Sequence, residues 1–320
     1  MVLIDVEEEF DWEQPFDRAN TAAATIPDLE RGLEVINEAG VVPIGVMSYP
    51  VVQHERSAEH LRRYVAAGTM EPGAHLHPWV NPPHDEDVTG HNSFPGNLPA
   101  SLEGAKIAEL AKAIEAAVGE RPRVYQAGRY GAGPNTFGLL EDQGFLVDMS
   151  VSPGYDYRSE GGPDFTASIN EPSWIGSSLL ELPVTGAMVG FLGGAASGAF
   201  RLANKPALSF TRLTSVLARS GAAERLRLSP EGHGLDDMQR LTRALVARGL
   251  RHFTCSFHSP SLVPGHTSYV RNPAQRDEFL ERLRRYIAWF REELGGEGTT
   301  PLRVHADLLQ RFPPTPRSHP

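Results

Sequence analysis

Cysteine is almost missing from this 320-residue chain. Cys255 stands alone, so no intramolecular disulfide can form and a reducing compartment is open to the protein. It lies in the apolar run His252-Phe253-Thr254-Cys255-Ser256-Phe257, where a small buried thiol is expected rather than a nucleophile. Basic charge is also short. Thirty Lys and Arg stand against 40 Asp and Glu, a formal net charge of −10, and no basic cluster marks a nucleic-acid or anionic-membrane surface. Long apolar runs are lacking too. Met1 leads into Val2-Leu3-Ile4 and then acidic residues, without the basic stretch and apolar segment of a signal or membrane helix, so a cytoplasmic protein with no membrane span is expected. Repeats of fixed period and clean linkers are absent. Residues 1–311 are therefore expected to form a single domain, followed by a flexible Pro-rich tail at 312–320.

What the chain does have is alternation. A strand over Val2–Val6 precedes an amphipathic helix at 27–39, with Leu29, Leu33 and Ile36 on one face and a stop at Gly40. Strand 41–47, helix 57–67, strand 71–77, helix 102–118, strand 123–127, helix 135–142 and strand 145–147 follow. Four helix-then-strand steps in succession favour a parallel barrel or a doubly wound sheet. Residues 154–205, rich in Gly, Ser and Pro, carry one clear strand at 179–184 and read as an irregular insertion or lid. Order resumes with strand 226–228, helix 236–248, strand 252–257 and helix Pro273–Leu294, whose Phe279, Leu283, Ile287 and Phe290 share one face.

Polar residues at the C-terminal ends of parallel strands are where such folds place their chemistry. Asp5 and Glu7, two apart, point the same way on a strand, roughly 6–7 Å apart along the chain. They suit a general base and a metal ligand, with a solvated acidic turn as the alternative, since Glu8, Glu9 and Asp11 follow. His75 and His77 repeat that spacing at another strand end, where two imidazoles on one face can chelate a divalent ion if a carboxylate is near. His84 and His91 fall in a loop of Pro, Asp and Gly and read as solvated surface. Asp148 and His258 end two further strands. An aspartate facing a histidine would orient its ring and hold a proton on it, although either residue alone also fits a satisfied turn. Arg129 and Tyr130 follow a strand within Gly128-Arg129-Tyr130-Gly131, which lacks the spacing and Lys-Ser/Thr ending of a phosphate loop.

Taken in chain order, five stretches resemble the motifs of the polysaccharide deacetylase superfamily, the NodB homology domain of carbohydrate esterase family four. They are Leu3-Ile4-Asp5-Val6-Glu7, Gly73-Ala74-His75-Leu76-His77-Pro78-Trp79, Ala127-Gly128-Arg129-Tyr130-Gly131, Asp148-Met149-Ser150-Val151-Ser152-Pro153 and Phe257-His258-Ser259-Pro260. Within the superfamily the chain looks most like the WalW-type deacetylase-related proteins. The resemblance implies an α/β fold, a distorted (β/α) barrel of about seven parallel strands, and metal-assisted removal of an acetyl group from an N-acetylated carbohydrate. It implies one divalent ion, zinc first, with cobalt or nickel as alternatives. By carry-over, Asp5 is the base, Glu7 and His75 bind the metal, His258 is the acid on the far side from the base, and Asp148 orients it. The family spaces its metal histidines four apart, so His77 is added as a ligand from strand geometry alone. Gln126 stands where the family has an arginine, and Arg129 would have to reach the base from another place. Two other readings fit the same barrel: hydrolysis of a different C–N bond, as in a cyclic amide of the allantoinase kind, or a catalytically silent carbohydrate-binding protein.

Overall fold

The computed structural model describes residues 1–190 and 224–314. Ten strands occur among them: β1 Val2–Val6, β2 Ile44–Met47, β3 Glu71–Leu76, β4 Val124–Ala127, β5 Val147–Asp148, β6 Ser173–Ile175, β7 Leu179–Glu181, β8 Gly186–Val189, β9 Glu224–Arg227 and β10 Cys255–His258. Eight of them form one curled sheet in the order β10-β1-β2-β3-β4-β5-β7-β6. All neighbours from β10 to β7 run parallel, which gives seven parallel strands, and β6 is an antiparallel edge. The antiparallel ribbon β8–β9 bridges the remaining gap. It accepts from β10 through Ser256 N–H to Leu228 O at 3.0 Å, and the segment after β7 bonds back to Val151 through Val184 N–H at 3.1 Å. The architecture is the distorted (β/α) barrel expected.

Helices α1 Leu29–Glu38, α2 Tyr49–Gln53, α3 Glu55–Ala66, α4 Ala100–Val118, α5 Thr136–Asp142, α6 Leu235–Ala247, α7 Pro273–Leu294 and α8 Pro301–Arg311 cover the sheet. Helix α1 stops where Gly40 turns left-handed (φ 71°), as its position requires. Helix α7 starts on the Asn272 side chain, which accepts from the Gln275 amide at 3.0 Å, with Pro273 in the first turn. Within the described residues, no helix is long and apolar enough to cross a membrane.

The pleat sorts the side chains into two layers. Leu3, Ile44, Val46, Val124, Val147 and Leu180 pack together inside the barrel, whereas Ile4, Met47, Ala74, Leu76, Tyr125, Ala127 and Phe257 pack under the helices. Alternation therefore assigns Asp5, Glu7, His75, His77, Gln126 and His258 to the interior face. The same rule corrects one expectation. Asp148 follows the interior Val147, so it lies on the outer face, in register with Tyr125 on one side and Glu181 on the other.

Several boundaries differ from expectation for local reasons. Strand 41–47 pairs only from Ile44, because Pro43 has no N–H to give. The strand at 226–228 forms as β9, but in the ribbon rather than the main sheet. Helix α8 was not expected, although Thr300-Pro301 carries a start signal and Thr300 Oγ1 accepts from the Arg303 amide at 3.4 Å. Of the expected insertion at 154–205, residues 154–190 contain β6, β7 and the start of the ribbon, while 191–205 lie outside the described residues. The end of the expected tail, 315–320, does so as well.

Gly73 sits in β3 where a Cβ would lie 2.7 Å from Val46 Cγ1 and 3.2 Å from Val124 O. Gly73→Ala is expected to cost about 1–3 kcal/mol through overpacking, seen as a lower urea midpoint. An unchanged midpoint would show that the interior layer yields freely.

Candidate active site

Interior positions at the ends of β1 and β3 converge on one point. Glu7 Oε2 lies 3.7 Å from His75 Nε2 and 3.6 Å from His77 Nε2, and all three residues are buried. Each imidazole is fixed from behind. His75 Nδ1 is 3.2 Å from Gln126 O, and His77 Nδ1 is 2.8 Å from Glu8 Oε1. Carbonyl and carboxylate oxygens only accept, so both Nδ1 atoms carry hydrogen and a neutral ring turns its Nε2 lone pair toward Glu7. Burial holds His75 neutral, lowering its pKa to about 4. Atoms about 2.1 Å from one ion at tetrahedral angles stand roughly 3.4 Å apart, close to the separations found. Glu7 Oε1 is buried with no partner. The donor set fits a divalent ion in charge, tautomer and spacing, and Glu7, His75 and His77 are the residues that would hold it.

A second group begins one strand away. Asp5 and His258 are register partners across β1 and β10, and His258 Nε2 lies 3.5 Å from Asp5 Oδ2. The other ring nitrogen, Nδ1, is 2.8 Å from Glu231 Oε2. Glu231 is itself held by the His258 amide at 3.1 Å and the Ser261 hydroxyl at 2.5 Å. Burial opposes charge on His258, but Glu231, Glu7 and Asp5 outweigh it and raise the pKa from 6.5 to about 10. Burial also raises Asp5 above the usual carboxylate range, against the pull of His75 and His258, and so strengthens it as a base.

Around these groups lies a cavity of about 450 Å³ lined by Phe10, Trp12, Phe16, Trp79, Tyr157 and Tyr269 among others. Trp79 stacks on His77 at 4.4 Å and Trp12 leans on His258 at 4.7 Å. Gly128 permits the close approach of β4 to β3, since a Cβ there would lie 2.6 Å from His77 Cδ2. Beyond it Arg129 and Tyr130 are both left-handed, at φ 56° and 57°, a conformation unfavourable for side-chain-bearing residues.

The structure brings Asp5, Glu7, His75, His77 and His258 together and leaves Asp148 out. Asp148 accepts from Ser150 Oγ at 2.6 Å and from the Ser150 amide at 3.1 Å. It lies beside Glu181, its register partner across β5 and β7, outside the barrel. The carboxylate on the His258 ring is Glu231 instead. Nor do acid and base stand on opposite sides, because they occupy adjacent strands in register. Arg129 reaches the cavity wall but is tied to Glu160, to Ser93 Oγ at 2.5 Å and to Gly90 O at 3.4 Å, between the rings of Phe94 and Phe16. No contact among the described residues joins it to Asp5. Gln126 stays inside with both amide atoms buried and unpartnered.

Sequence reasoning missed Glu231, Glu8 and Arg227. Glu231 was within reach, because it follows an expected strand end in Ser229-Pro230-Glu231-Gly232. Glu8 gives no such signal, since its burial depends on His77 from another strand. His84 and His91 are exposed, as expected. Cys255 is buried in β10, and burial pushes its thiol up to about 12, which keeps it inert.

No family model matches the chain, and no curated relative aligns with it. Solved structures share its fold. A protein of Mycobacterium smegmatis named as a polysaccharide deacetylase superposes with a TM-score of 0.55 at 17% identity, over 93% of this chain and 82% of that one. The allantoinase PuuE gives 0.54 at 17% identity, over 98% of this chain and 91% of the other. A protein of Pseudomonas aeruginosa PAO1, also named as a polysaccharide deacetylase, gives 0.54 at 14% identity with the same coverage of 98% and 91%. At such identities the likeness is one of fold, the barrel of the polysaccharide deacetylase type.

Glu231→Gln is expected to lower the His258 pKa from about 10 toward 6.5, followed by the NMR titration of its ring. Asp148→Asn should leave that titration in place. The folded chain binds the His258 proton more tightly than the unfolded one, so this stabilisation is complete below pH 6.5 and is lost as pH rises toward 10. A titration unmoved by Glu231→Gln would remove Glu231 from the site.

Proposed function

We propose that this chain is a metal-dependent hydrolase of the polysaccharide deacetylase superfamily that removes the acetyl group from an N-acetylated sugar of a polysaccharide or its precursor. The observation that carries this reading is the meeting, in one buried pocket, of the Glu7–His75–His77 donor set with the Asp5–His258–Glu231 chain. A divalent ion, zinc first and cobalt or nickel otherwise, polarises an amide carbonyl and acidifies water when bound.

The chain's own residues do the rest. Asp5, a base strengthened by burial, takes the proton of the attacking water. His258 is charged at neutral pH and gives its proton to the departing nitrogen, which leaves poorly without one. The two steps are coupled through their 3.5 Å contact. Protonating Asp5 removes one of the charges that hold the proton on His258, so taking up the first proton eases release of the second. Glu231 keeps the ring oriented with Nε2 toward Asp5. The aromatic walls offer flat apolar faces to a sugar ring, and about 450 Å³ admits one such unit.

The size of the pocket also favours a second reading. A small cyclic amide fits it as well, and the same acid and base would open its C–N bond.

Untagged protein is expected to carry one equivalent of zinc, cobalt or nickel by elemental analysis, lost in His75→Ala. Asp5→Asn should retain the metal and lower kcat by roughly 10²- to 10⁴-fold, and metal loss there would mean that the roles of Asp5 and Glu7 are exchanged. Turnover of acetylated sugars but not cyclic amides supports deacetylation, and the reverse pattern selects the second reading. A metal-free protein with full activity would overturn the metal-dependent mechanism.

A further inference from the structure

We propose that Arg227 makes the pocket selective for an anionic substrate, an N-acylated compound bearing a carboxylate or phosphate group, a refinement that rests on the hydrolase reading above. Arg227 ends β9 and lines the same cavity as Asp5, Glu7, His75, His77 and His258. Its guanidinium is held by three neutral hydroxyls: Tyr130 at 3.1 Å from Nη1, with Ser152 at 2.8 Å and Tyr157 at 2.7 Å from Nη2. The rings of Tyr130 and Tyr155 lie 4.5 Å and 4.2 Å from it. Its Nε is buried without a partner.

No carboxylate pairs with Arg227 among the described residues, and the rest of the sequence offers no acidic side chain to do so. Residues 191–223 and 315–320 contain neither Asp nor Glu. The other arginine of the pocket, Arg129, is neutralised by Glu160. One full positive charge is therefore fixed in the wall with only neutral hydroxyls, and no carboxylate among the described residues, in contact with it. A half-buried cation left in that state is unfavourable, and phenol rings and hydroxyls compensate it only in part. Three fixed hydroxyls hold the fork in place, and guanidinium is the group best matched to the paired oxygens of a carboxylate or phosphate. Arg227 and Tyr130 line the same pocket as Asp5 and His258, which places the cation in the wall that the reacting groups share.

The test uses three sugars that share one N-acetyl group: N-acetylglucosamine, N-acetylmuramic acid with its added carboxylate, and N-acetylglucosamine 1-phosphate. Binding to the metal-loaded protein is measured by calorimetry, and hydrolysis is measured separately. At least one charged sugar should bind about 10- to 100-fold more tightly than the neutral one, the range expected of a charge-assisted hydrogen-bonded pair. Whichever charged member gains identifies carboxylate or phosphate as the group recognised. Arg227→Gln should bring charged and neutral sugars close to parity, while Arg227→Lys retains part of the preference and shows that the loss is not one of folding. Equal binding of all three by the wild type, or a preference that survives Arg227→Gln, overturns the inference. Retained charge preference with hydrolysis of none of the three would support Arg227's role and count against deacetylation.

Discussion

Four carboxylates meet inside the barrel mouth, and compensating their charge is the constraint on which the rest of the site depends. Asp5 and Glu7 are each 3% exposed, Glu8 is fully buried and Glu231 is 8% exposed. Like charges at such range cannot all ionise in a buried site unless cations are placed among them. Imidazoles divide the task. His77 takes Glu8, His258 takes Glu231 on one nitrogen and Asp5 on the other, and His75 is held neutral with its Nδ1 on a backbone oxygen. Glu7 is left facing two Nε2 atoms, and its burial raises its pKa to about 7. Glu7 is thus only half-compensated, with Oε1 unpartnered and the neutral ring of His75 beside it.

The sheet makes this gathering possible by arithmetic rather than by long loops. Period-two alternation sends Asp5 and Glu7 inward from one strand and His75 and His77 inward from another, and the parallel register of β10 with β1 sets His258 directly beside Asp5. Small residues then let the strands come close enough. Val46 fills the interior against Gly73, and Gly128 clears the edge of His77.

Most of the fold was legible because its signals are local. Apolar periodicity and glycine stops fixed α1, α4 and α7 to within a few residues, and Val2–Val6 as a strand. The convergence of His75 and His77 was legible for the same reason, since they carry their two-residue spacing in the sequence. Asp148 was misplaced because strand ends were read without their parity, and one residue decides which side of the sheet a carboxylate serves. Glu8 and Arg227 were invisible because each is defined by partners from distant segments: His77 for the first, Tyr130, Ser152 and Tyr157 for the second. No local pattern encodes a contact that long-range packing creates.

The backbone at Arg129 and Tyr130 shows what the pocket wall costs the fold. Two successive side-chain-bearing residues in the left-handed region cost about 1–2 kcal/mol each, and glycine at either position would relieve that. What holds them there is side-chain contact. Arg129 lies between Phe94 and Phe16 and pairs with Glu160, while Tyr130 stacks at 5.9 Å on Tyr157 and accepts from Arg227. Through these bonds the strained turn after β4, the 152–157 segment and β9 become one wall of the pocket that Asp5, Glu7, His75, His77 and His258 also line. Relaxing the backbone would separate the pieces, so the strain is the counterpart of a pre-organised pocket.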